Sequence, residues 1–139
     1  MPFLLDTTAL SEPVRRSPDP GFMSRLAAAP VLDLFTSSIC VMELRHGCAL
    51  KGDPALWDRI QRDILGQLQV LPFGQDEALR CGEILAALSR AGTPIGIEDA
   101  QIASTALVHD LTVVTANIKH FQRIPGLRVE NWQSRAAGG

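Results

Sequence analysis

Nothing in this chain resembles a leader or a membrane anchor. The apolar run near the N-terminus, in MPFLLDTTAL, stops at Asp6 after three residues and has no basic flank, so the chain is expected to be cytoplasmic, without a membrane role. Cysteine is scarce: Cys40, Cys48 and Cys81 are odd in number and form no CxxC pair. That spacing suits neither a zinc site nor a disulfide framework, and buried thiols in a reducing compartment are the reading that remains. A basic excess is missing too. The net charge of −2 argues against a protein that coats nucleic acid by bulk charge, although not against an enzyme whose acids gather cations. Internal repeats, low-complexity tracts and long hydrophilic linkers are also lacking, so 139 residues imply one domain, expected over 1–135, with a frayed Ala-Ala-Gly-Gly tail at 136–139.

Hydrophobic residues make up 46% of the chain and charged residues 20%. A chain of this length buries roughly 70% of its unfolded surface and needs no staple. Short apolar runs at 3–5, 32–35, 69–71 and 112–115 read as strands without a polar face, as in a parallel sheet covered on both sides; 128–129 adds a weak edge strand. Helices fall between them. Asp19-Pro20 and Asp53-Pro54 are cap-plus-proline starts for helices to about 28 and 68. Ser37 or Ser38 caps a helix to about 48, Asp76 opens one that stops at Gly92, and another runs from 97–99 to 110. Strands alternating with helices define an α/β class.

Acidic residues sit where such a sheet binds ligands, beyond the carboxyl ends of its strands. Asp6 follows the first strand, Glu43 lies in the helix after the second, Asp99 opens the helix before the last core strand, and Asn117 follows that strand. Each has a plainer reading. Asp6 could only cap a turn, Glu43 could be a solvated helix residue, and Glu98-Asp99 could only favour a helix dipole. Yet Ile39, Val41, Met42 and Leu44 surround Glu43, and a carboxylate among apolar residues needs a partner or a cation. Two carboxylates about 4 Å apart repel by roughly 4 kcal/mol at an effective dielectric near 20. Oxygen donors without His or Cys would offset that with a hard ion, Mg²⁺ or Mn²⁺, rather than zinc.

Four segments then fall in series: LLDTTALSE (4–12), SSICVMELRHG (37–47), PIGIEDAQIASTAL (94–107) and LTVVTANIKHFQRIPGLRVENW (111–132). Together they resemble the PIN-domain ribonucleases, in particular the VapC-type toxins of toxin–antitoxin systems. The resemblance implies a three-layer α/β/α domain, Mg²⁺- or Mn²⁺-dependent cleavage of RNA, a homodimer and a cognate antitoxin that occludes the site. By position it assigns Asp6, Glu43 and Asp99 as metal-holding acids and Thr8 as the polar residue beside the first. At the fourth acid position the chain departs, with Asn117 and, three residues on, His120. That favours one well-held metal over two, with Glu98 as the only spare acid.

The implied chemistry is in-line attack of metal-activated water on the phosphodiester. Arg15, Arg16, Lys119, His120 and Arg123 are either phosphate partners or ordinary surface charge. His46, His109, Trp57 and Trp132 are assigned to structure. Two rivals stand beside this reading. One is a catalytically degraded PIN domain that only binds antitoxin or RNA. The other is a haloacid-dehalogenase-like phosphatase, which needs a second acid where Thr8 stands.

Overall fold

A computed structural model describes residues 1–134 of the chain. The expected tail at 136–139 lies outside the described residues. Five strands form one sheet: β1 (Phe3–Leu5), β2 (Leu34–Ser37), β3 (Gln69–Leu71), β4 (Thr112–Val114) and β5 (Val129–Glu130). Their order is β3-β2-β1-β4-β5, and every pairing is parallel. Parallel neighbours need crossovers, and helices supply the longer ones. These are α1 (Thr7–Ser11), α2 (Pro20–Ala28), α3 (Ser38–Lys51), α4 (Pro54–Asp63), α5 (Gln75–Arg90), α6 (Ile97–Val108) and α7 (Ile118–Phe121).

The central strands are apolar because they are covered on both faces. Leu4, Leu5, Val113 and Val114 are buried with Ala100, Ile102, Ala103 and Ala106 of α6 and Cys40 and Leu44 of α3. All three cysteines are buried and free, as their spacing implies. The Asp-Pro starts at 19 and 53 hold: each Asp side chain accepts the backbone N–H three residues on, from Phe22 and Leu56.

Some boundaries move. The second strand is two residues later than its apolar run. Residues 31–33 form a 3-10 turn with Leu32 78% exposed, whereas Thr36 and Ser37 are wholly buried. Hydrogen bonding outweighs hydropathy there: Thr36 donates to the Leu5 carbonyl across the sheet (2.7 Å), and Ser37 accepts from Cys40 N to cap α3. The helix from Pro54 ends at Asp63, not 68, and a 3-10 turn at 65–67 carries Ile64 and Leu65 back onto the core. α5 starts at Gln75 with Gly74, not Asp76, at its N-cap. His46, assigned to structure, is exposed on α3.

Candidate active site

β1 and β4 are neighbours, and the chain leaves them in opposite directions across the sheet, toward β2 on one side and β5 on the other. A crevice at such a switch point is where parallel sheets bind ligands. Asp6 stands at the carboxyl end of β1 and is 4% exposed. Its backbone N–H still bonds Val114 of β4 (3.1 Å). Its side chain caps α1, accepting from Ala9 N (2.9 Å) and from the Thr8 hydroxyl (2.6 Å) on Oδ1. Burial pushes its carboxyl above the usual range. The Thr115 and Thr8 hydroxyls and Ala9 N–H pull the other way, and the Asp99 charge adds to the upward push.

Asp99 lies in the first turn of α6, and His120 Nδ1 is 3.0 Å from its Oδ2. His120 thus meets an acid of the site rather than replacing one. Thr8 joins the two strand ends: it accepts from Ala116 N (2.9 Å) and lies 3.5 Å from the Thr115 hydroxyl, which accepts from Asn117 N (2.9 Å). The turn that presents Asn117 is built on these two threonines. Asn117 itself is exposed.

Glu43 is half-buried on α3, and Thr7 donates to its Oε1 at 2.5 Å. The apolar neighbours that suggested a buried charge are spread around the helix, with Met42 exposed and Leu44 buried. Among the described residues no three His, Cys, Asp or Glu side chains close into a group able to hold an ion. The Asp99 charge bears on Asp6, and Thr7, next to Asp6 in sequence, reaches Glu43. Glu98 and Lys119 are exposed nearby, Arg15 is held by Glu12 (3.2 Å), and Arg123 donates to the Pro94 carbonyl (3.2 Å). Sequence reasoning missed Thr7 and Thr115. The signal for both was slight, a hydroxyl flanking each strand-end residue in DTT and TAN.

The donor set suits a hard divalent ion. A buried carboxylate raised by desolvation gains from a cation, and Mg²⁺ is commonly held by only one or two carboxylates with water and substrate oxygens completing its shell. Asp6 and Asp99 are carboxylates of that kind, one at the end of β1 and one in the first turn of α6.

A five-stranded parallel sheet flanked by helices, with Asp6 buried at its switch point, defines an α/β domain. The chain belongs to the PIN-domain family, whose match covers residues 3–127. Within that family it sorts with the VapC-type ribonuclease toxins. It is 40% identical to the tRNA(fMet)-specific endonuclease VapC of Salmonella typhimurium, over 69% of this chain and 73% of that protein. It is 33% identical to Ribonuclease VapC2 of Rickettsia felis, over 95% of this chain and 98% of that one. Its fold superposes on the DNA-bound VapBC crystal structure from Salmonella typhimurium with a TM-score of 0.86 and 33% identity, covering 95% and 98% of the two chains.

Proposed function

We propose that the chain is a Mg²⁺- or Mn²⁺-dependent endoribonuclease, the toxin of a toxin–antitoxin pair, acting as a homodimer held in check by a cognate antitoxin. The observation that carries the activity is the buried Asp6 beyond the end of β1, with the Asp99 charge bearing on it. Relatives at 40% and 33% identity that are named as ribonucleases support the substrate class, and the VapBC complexes among its structural neighbours support a protein partner. No helix among the described residues is long and apolar enough to cross a membrane.

The roles follow from the contacts. Asp6 and Asp99 would hold the ion, with Glu43, restrained by Thr7, as a further carboxylate at that end of the sheet. When bound, Mg²⁺ or Mn²⁺ supplies charge against the scissile phosphate and lowers the pKa of water for in-line attack. Thr8 fixes the Asp6 rotamer, so that its carboxylate is pre-set instead of being ordered on binding. His120 Nδ1, 3.0 Å from Asp99 Oδ2, holds that carboxylate in orientation. Thr115 and Thr8 fix the turn from which Asn117 offers an amide to a phosphate oxygen or a water. Thr7 restrains Glu43.

The test is cleavage of a labelled single-stranded RNA with Mg²⁺ or Mn²⁺, with EDTA, and with Asp6→Asn. Cleavage that needs the metal and falls by at least about 10²-fold in the variant is expected. Full-rate cleavage by both Asp6→Asn and Asp99→Asn would falsify the assignment. Folded protein that binds RNA but never cuts it would instead favour the degraded, binding-only reading.

A further inference from the structure

A second cleft of about 460 Å³ opens beside the Thr7–Glu43 contact, between α1 with the turn that follows it and the α3–α4 pair. Arg15, Arg16 and Lys51 line it against a single carboxylate, Glu43. The chain as a whole carries −2, so positive charge is concentrated here against the overall balance. Arg15 is drawn to Glu12, but no ion pair among the described residues involves Arg16 or Lys51. The arm carrying Arg16 is anchored on both sides. Glu12, fully buried, accepts from Asp19 N (3.0 Å), Arg15 and Gln133 Nε2 (2.8 Å), and Asp19 caps α2. Arg16 is therefore presented from an anchored arm and Lys51 from the last turn of α3, which lowers the ordering cost of a ligand.

Gly47 gives an independent sign. It lies inside α3 and lines the same cleft. A glycine there costs about 1 kcal/mol against alanine. No packing demands it, because a Cβ built at Gly47 meets nothing within 4 Å. The helix forgoes stability and leaves the floor of the cleft open.

We infer that this cleft is the track for the phosphodiester backbone of single-stranded RNA leaving the cut site, with Arg16 and Lys51 as its phosphate contacts and Gly47 as the clearance. A cationic cleft of this size follows one backbone and does not admit a paired helix, whose two backbones stand apart. The inference rests on the endoribonuclease reading and extends it along the substrate.

The test reads binding apart from cleavage. Fluorescence anisotropy of a fluorescein-labelled single-stranded oligoribonucleotide of about twelve nucleotides is followed in EDTA over a range of NaCl concentrations. Arg16→Ala with Lys51→Ala is expected to weaken binding about tenfold or more and to reduce the salt slope by about 1.4, at roughly 0.7 per lost phosphate contact. Gly47→Gln, neutral and helix-favouring, is expected to weaken binding without lowering the melting temperature. An unchanged affinity or salt slope in the double variant overturns the proposal, whatever Gly47→Gln does. So does a result in which poly-L-glutamate, and not RNA, loses affinity with these variants, since the cleft would then be a docking site for acidic protein. If RNA binding responds as expected but the wild type cuts no RNA with Mg²⁺ or Mn²⁺, the nuclease reading fails and the track stands; normal cleavage with unaffected binding gives the reverse.

Discussion

At the scale of single residues, the chemistry depends on how hydroxyls tune carboxylates. Asp6 holds a raised pKa because burial disfavours its charge. Its protonated form therefore adds stability that is fully present below the ordinary value of 3.8 and is lost as pH rises through the folded value. In EDTA the wild type should lose stability over that interval. Asp6→Asn keeps an oxygen for Ala9 N and Thr8 without the charge, so it should lack this limb and melt no lower than wild type near pH 7. Parallel melting-versus-pH curves for the two proteins would contradict the assignment. Metal reverses the order: at about 100 times its Kd it should stabilise the wild type by about 2.7 kcal/mol and leave Asp6→Asn unmoved. Thr8→Val tests the neighbouring bond. It removes the acceptor of Ala116 N and should cost about 1–3 kcal/mol in urea unfolding, together with lowered cleavage as the Asn117 turn loosens.

At the scale of elements, two glycines separate packing from propensity. A Cβ at Gly21 in α2 would stand 2.6 Å from Ser134 Cβ, whose backbone N–H and hydroxyl bond Asp19. Gly21→Ala should thus displace the C-terminal segment from the cap of α2 and cost about 1–3 kcal/mol by thermal melting. Gly47→Ala, inside α3 with no atom near, should stabilise by up to about 1 kcal/mol. Equal effects at both positions would show that local propensity, not contact, governs α2. The same segment carries Trp132, buried edge-on to Phe3 (5.0 Å), near Phe22 (5.9 Å), with Arg25 over its ring (5.2 Å). It packs against β1 and α2, and its structural role agrees with the reading made from sequence. Trp57, half-buried on α4 with Arg45 over its ring at 5.2 Å, belongs with it.

At the scale of the whole molecule, the thiols report global opening. Cys40 is buried beside the site with its pKa pushed up to about 11, chiefly by desolvation, and Cys48 and Cys81 are buried as well. Alkylation by iodoacetamide near pH 8 should then follow unfolding, with all three sites reacting together in urea; rapid labelling of Cys40 in the native protein would contradict its placement. The site itself is a product of strand order. With β1 between β2 and β4, elements over a hundred residues apart in sequence deliver Asp6, Thr8, Thr115 and Asn117 to one crevice.

The amino-acid sequence by itself determined the α/β class, the two Asp-Pro helix starts, the buried thiols and the acids that stand at strand ends. Those features are local, written in hydrophobic period, capping residues and spacing. Tertiary structure alone decided which groups meet. The shift of β2 onto Thr36 and Ser37 depends on a hydrogen bond to Leu5 across the sheet, which no window of residues contains. The pairing of His120 with Asp99 and the restraint of Glu43 by Thr7 follow from how helices seat against the sheet. Such contacts join residues 21 and 36 places apart, and their geometry is set by packing against the rest of the core, a long-range term that local pattern does not carry.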